Sequence, residues 1–137
     1  KFKTIFLAMG GADHKNLNIK ILKVVEKFKK SLKVNLVTTT ANKNLEELKG
    51  YCKDKKWINL QINSNEVAKL MSKSDFAIVT PSVTANEIFY LELPMISIKT
   101  AKNQNQMYKY LKKKGYFTMK KFDKQKLNKY LKLFLKR

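Results

Sequence analysis

Apolar runs of strand length alternate with segments of helical period along the whole chain. The runs predict strands over Thr4–Ala8, Val34–Val37, Ile58–Ile62, Phe76–Val79 and Met95–Ile98, with a sixth at Tyr116–Met119. Between them the pattern predicts helices over Leu17–Lys30, Leu45–Lys53, Asn65–Lys73, Val83–Leu91 and Gln104–Lys114, and a last one from Lys124. In the first helix Ile21, Val24, Val25 and Phe28 fall on one face, while Lys20, Lys23, Lys27 and Lys30 fall outside it. Such regular alternation calls for parallel strands with right-handed crossovers and helices on both faces. The expected fold is α/β: a three-layer, doubly wound, Rossmann-like parallel sheet of about six strands. No Pro-, Gly- or Ser-rich linker and no internal repeat interrupts it, so residues 1–137 read as a single domain.

On an open parallel sheet, ligands bind at the carboxyl ends of the strands. The loops that matter are therefore 9–16, 38–44, 63–65, 80–82 and 99–103. In the first, Met9-Gly10-Gly11-Ala12-Asp13 leads from a strand into a helix. Such a glycine turn can bring backbone N–H groups to a phosphate, with the positive end of the next helix behind it; a tight turn without a ligand is equally compatible. Thr80-Pro81-Ser82 also joins a strand to a helix, and Glu87 follows on that helix. A carboxylate there can accept both hydroxyls of a ribose, or can simply complement the helix N-terminus. Helix capping is the plain alternative at Asn44, with Glu47 in the next turn, and at Ser64. The Gly-x-Gly-x-x-Gly fingerprint and the Walker pattern are both absent, which weakens dinucleotide and ATPase readings.

Composition narrows the choice further. The chain is 44% hydrophobic over 137 residues, enough for one real core. Its net charge of +20 invites a nucleic-acid reading, but almost all of that charge is spread-out lysine and Arg137 is the only arginine. A lysine-rich nucleic-acid-binding module is thus the competing reading from another class. Tyr108, Tyr110, Tyr116 and Phe117 fall at spacings that suit a core rather than a base-stacking surface, and no nucleic-acid partner is expected. No apolar run approaches the ~20 residues of a membrane span and no signal peptide is seen, so a soluble, cytoplasmic protein is expected. The lone Cys52 reads as a structural thiol. His14 reads as a loop histidine that at most touches phosphate, and with Asp13 it lacks further ligands for a metal. No metal or cofactor is expected. The last segment places Leu127, Tyr130, Leu131, Phe134 and Leu135 on one face. That face suits packing on the sheet or on a partner domain, with an anionic membrane surface as the alternative.

Four motifs in order resemble the C-terminal domain of the two-domain nucleotide-sugar enzymes called GT-B. They are Met9 to Asp13 with Lys15-Asn16-Leu17; Ile62-Asn63 with Val67 to Met71; Ser82 to Glu87; and Asn103 to Gln106 before Tyr110-Leu111 and Lys113 to Tyr116. Within that group the chain is similar to the UDP-sugar hydrolases of pseudaminic acid biosynthesis and to the peptidoglycan N-acetylglucosaminyltransferases. Thr80-Pro81-Ser82, where the transferases have Ser-Gly, leans toward the hydrolases. The resemblance implies UDP or a UDP-sugar as partner. It implies that Gly10, Gly11 and Ala12 hold the diphosphate, with Ser82, Val83 and Thr84 beside it. The Ile62 backbone would meet the uracil edge, Glu87 the ribose hydroxyls, and Gln106, with Gln104 behind it, the sugar. It further implies hydrolysis of a UDP-linked diacetamido-trideoxy sugar by a histidine on an N-terminal domain that this chain lacks. No catalytic residue is then expected in this chain, which alone would be inactive; a glycosyltransferase donor domain is the second reading.

Overall fold

The computed structural model describes residues 3–136. Its order is β1 Thr4–Ala8, α1 Leu17–Val25, β2 Lys33–Thr38, α2 Leu45–Cys52, β3 Ile58–Ile62, α3 Val67–Ser72, β4 Phe76–Val79, α4 Val83–Tyr90, β5 Met95–Ile98, α5 Asn105–Lys113, β6 Phe117–Met119 and α6 Lys124–Leu135. The strands form one sheet in the order β3-β2-β1-β4-β5-β6, and every pairing is parallel. This is the expected doubly wound, three-layer arrangement.

The two faces of the sheet read directly from strand alternation. On β4, Phe76 and Ile78 join the core under α1, α2 and α6, while Ala77 and Val79 join the core under α3, α4 and α5. Both β4 and β5 are buried throughout, as strands covered on both faces must be. The first core is the larger. Ile21, Leu22 and Val25 of α1 meet Leu127, Leu131 and Phe134 of α6 there, and the Phe134 ring stacks on Phe76 at 4.5 Å. Tyr130 stacks on Phe117 at 4.4 Å. The apolar face of α6 is therefore packed on this sheet and is not offered to a membrane. Among the described residues no helix is long and apolar enough to cross one.

Several element ends differ from the expectation, each for a local reason. The first helix stops at Val25 and tightens into a 3₁₀ turn over Glu26–Phe28, where Ser31 and Leu32 both donate to the Phe28 carbonyl and turn the chain toward β2. The third helix begins at Val67 rather than Asn65, because the Ser64 hydroxyl accepts from the Glu66 N–H in a turn of its own. Gln104 belongs to a 3₁₀ turn, Lys102–Gln104, and α5 starts one residue later. Asn44 makes no side-chain cap to α2; instead the buried Asn42 accepts from the Asn44 N–H at 2.8 Å. At α6, by contrast, Asp123 accepts from Gln125 and Lys126 as a regular N-cap does.

Candidate functional site

Loops after β1, β4 and β5 meet at the carboxyl edge of the sheet, and the first of them is held rigidly. Gly10 has φ +85°, a conformation that side chains rarely adopt. A Cβ on Gly11 would lie 3.0 Å from both Cγ2 and Oγ1 of Thr39. That threonine is not free to retreat, because its hydroxyl donates to the Gly11 carbonyl at 2.8 Å. The Thr38 hydroxyl and the Thr39 N–H also donate to that carbonyl, at 3.2 and 3.3 Å. Both glycines are thus required by the fold of the turn before any ligand is considered.

The positive end of α1 is not available to an anion in the way the sequence suggests. Asp13, buried and at φ 40°, accepts from Leu17 N–H at 2.8 Å and Asn18 N–H at 2.9 Å, so the chain's own carboxylate already caps that helix. Burial pushes the Asp13 pKa above the ordinary carboxylate value, against the lowering by the two N–H bonds and by Lys20 and His14. The start of α4 is different. Ser82 stands at its N-cap position but makes no cap, and its hydroxyl instead accepts from Thr80 at 3.2 Å. The backbone N–H groups of Thr84 and Ala85 open the helix with no acceptor among the described residues, which leaves the positive end of α4 exposed to an anion.

Two neighbouring clefts flank this region. One, of about 320 Å³, is lined by Gly10, Gly11, Ala12, Asp13, His14 and Lys15 from the first loop and by Thr80, Thr100, Asn103 and Gln104 from the next two strand ends. His14 and Lys15 are exposed there, so the cleft carries an ammonium and an imidazole at its rim. The other cleft contains Ser82 and Gln106, and Asn103 lines both. Of the residues singled out from sequence, Gly10, Gly11 and Ala12 therefore share one cleft, while Ser82 and Gln106 stand in the next, with the first turn of α4 following Ser82. Glu87 lies one turn further along α4, exposed, its carboxylate without an ion pair or hydrogen bond among the described residues. Ile62 ends β3, the edge strand, and is separated from β1 by β2, a span of roughly 10 Å. Across the pair it is Asn63 that donates to the Thr38 carbonyl, so the alternation of the ladder turns the Ile62 backbone groups to the open edge.

Gln104 is committed elsewhere. Its side-chain oxygen accepts from the N–H groups of Thr100 and Ala101 and from the Thr100 hydroxyl, so it shapes the loop after β5. Sequence reasoning also missed the capping role of Asp13, although an aspartate four residues before Leu17 was a readable signal. It missed Thr39, whose contact with Gly11 spans 28 residues and leaves no local trace. Tyr110, expected in the core, is 43% exposed. Cys52 is buried, and burial pushes its thiol up to about 11, in keeping with an inert structural role. Among the described residues no group of three or more His, Cys, Asp and Glu is placed to hold a metal ion.

No protein-family model matches the chain. It is 35% identical over 111 residues, 81% of its length, to a UDP-2,4-diacetamido-2,4,6-trideoxy-beta-L-altropyranose hydrolase of Campylobacter jejuni, and spans only 39% of that protein. Its fold matches a UDP co-structure of MnaA from S. aureus with a TM-score of 0.78 at 14% identity, covering 99% of this chain and 37% of that one. It also matches WaaG, a glycosyltransferase involved in lipopolysaccharide biosynthesis, with a TM-score of 0.70 at 15% identity, covering 100% of this chain and 39% of that one. UDP-GlcNAc 2-epimerases stand among the further structures of this fold. By sequence the chain is similar to part of a UDP-sugar hydrolase, and by fold it is a Rossmann-like domain that matches a portion of UDP-GlcNAc 2-epimerase and glycosyltransferase structures.

Proposed function

We propose that this chain is the UDP-binding domain of a nucleotide-sugar hydrolase of bacterial surface-sugar biosynthesis, acting on a UDP-linked diacetamido-trideoxy sugar. The observation that carries the reading is the open first turn of α4, following a strand whose neighbour ends in the fixed Gly10-Gly11 turn. The diphosphate lies over Gly10, Gly11 and Ala12 and receives the N–H groups of Val83 and Thr84, with Ser82 beside it. The exposed Glu87 carboxylate accepts the two ribose hydroxyls. The uracil reaches the backbone of Ile62 at the open edge of β3, and Gln106 meets the sugar. Lys15 and the overall charge draw the anionic ligand in without fixing its orientation.

Cleavage needs a group this domain does not supply. His14 sits at the phosphate end of the cleft, so we assign the catalytic histidine to a second, N-terminal domain of the full-length protein and expect this chain alone to turn over no UDP-sugar. We infer a cytoplasmic location, a reading that the lone free thiol supports. The same site would serve a glycosyltransferase donor domain, a reading favoured by the fold shared with WaaG. Transfer of the sugar to an acceptor rather than to water, assayed with the full-length protein, would select it.

The nucleotide reading is tested by isothermal titration of the chain with UDP. Saturable binding is expected, and Glu87→Ala should weaken it by about 1–3 kcal/mol, the range for lost charge-assisted hydrogen bonds, while leaving the fold intact. A folded protein that evolves no heat with millimolar UDP would end this reading.

A further inference from the structure

The second cleft has a lining unlike the rest of the molecule. It encloses about 550 Å³ between α4 and α5 and is lined by Ser82, Asn86, Phe89, Tyr90, Asn103, Gln106, Met107 and Tyr110, with Pro81 at one end. None of these residues is charged, in a chain that carries 30 lysines and arginines. Three of the four exposed large hydrophobic side chains among the described residues also gather here or beside it: Tyr90 at 78%, Leu91 at 49% and Tyr110 at 43%. Exposed rings on a surface otherwise dominated by lysine call for an occupant.

Phe89 contacts Tyr90, Tyr110 and Tyr116 edge to face, with centroids 6.3, 5.9 and 5.9 Å apart. Lys114 lies 5.7 Å from the Tyr110 centroid, so that ring has a neighbour on two sides. A ligand stacking on Tyr110 therefore loses less side-chain entropy in ordering it. The amides of Asn86, Asn103 and Gln106 line the same cleft, and none of the three has a side-chain hydrogen-bond partner among the described residues. Apolar platforms beside free amides match a pyranose, which offers a C–H face to a ring and hydroxyl or acetamido groups to amides. The lining residues themselves carry no charge, which suits a neutral sugar, and Lys114 beside them is set over the Tyr110 ring.

Length argues that the occupant is more than the sugar of a nucleotide-sugar. Ser82 and Tyr90 are eight positions apart along α4, which at 1.5 Å per residue is about 12 Å, longer than one pyranose ring. From these features we infer that the α4–α5 groove is a binding site for a neutral, acetamido-bearing carbohydrate, meeting the nucleotide cleft at Asn103, which lines both, and extending past Gln106, where a nucleotide-linked sugar ends, to Tyr90 and Tyr110. This goes beyond the nucleotide reading and does not require it.

The test is an amide-resolved NMR titration of the full chain with N,N′-diacetylchitobiose, alone and in the presence of saturating UDP, with glucuronic acid as the charged control. Chitobiose should shift the amides of Asn86, Tyr90 and Gln106 through Tyr110 whether or not UDP is present, and glucuronic acid should not. Tyr90→Ala and Tyr110→Ala should each weaken chitobiose binding about tenfold or more without changing UDP affinity. Both side chains are exposed enough for their removal to spare the core, which circular dichroism would verify. No chitobiose shifts in the folded protein, shifts that UDP abolishes, or equal binding of glucuronic acid would each overturn the inference. Chitobiose binding to a protein that ignores UDP would sustain it while ending the nucleotide reading.

Discussion

The starts of α1 and α4 face the same edge of the same sheet, yet only one is free. At α1 the turn that looks most like a phosphate grip is closed by its own Asp13, which takes the N–H groups of Leu17 and Asn18. At α4 the serine in the capping position turns to Thr80 and leaves the helix open. A strand-glycine-helix pattern therefore does not by itself identify where an anion sits. What decides it is which N–H groups the chain has already satisfied, an accounting that every buried helix end must obey.

This contrast can be broken from either side. The largest effect is expected from Val83→Pro. Proline is well tolerated at the first helical position, and Ser82 before it is already extended, with φ −137° and ψ −165°. The substitution removes one N–H that the helix does not use. It should leave thermal stability nearly unchanged and weaken UDP binding by about 1.5–3 kcal/mol, the range for a hydrogen bond to a charged group. Unaltered UDP affinity in this variant would remove α4 from the site. Asp13→Ala should do the reverse, costing about 0.5–2 kcal/mol in denaturant-measured stability as a lost cap while leaving the α4 contacts in place. If instead it strengthened UDP binding severalfold, the freed start of α1 would be competing for phosphate.

The smallest effect is in pH dependence. Because burial raises the Asp13 pKa, the folded state holds that proton more tightly than the unfolded state does. The contribution of Asp13 to stability is then fully present at acid pH and is lost as pH rises through the folded value. Measured against Asp13→Asn, the wild-type protein should accordingly lose relative stability as pH climbs above the ordinary aspartate range. A relative gain over that interval would mean that the N–H bonds, not burial, dominate the carboxylate.

Most of the fold was legible in the sequence because it is written in local periodicity. The predicted bounds of β1, β3, β4 and β5 coincide with the observed ones, since an apolar run flanked by polar residues has only one sensible extent there. Helix ends were less legible because side chains outside the helix set them: Ser64 before α3, Gln104 before α5 and Asn42 before α2. The site divides in the same way. Gly10 and Gly11 announce themselves, but the openness of α4 depends on where the Ser82 hydroxyl points, and no spacing rule encodes that. Tyr110 was misread because it stands at the border of the apolar face of α5; Tyr108 and Leu111 take the buried side and Tyr110 is left outside.

The most direct test follows backbone amides during UDP titration. The signals of Val83, Thr84 and Ala85 should move most, with Gly10 and Gly11 following, while Leu17 and Asn18, bound to Asp13, stay nearly still. The largest shifts at Leu17 and Asn18 with α4 silent would contradict it.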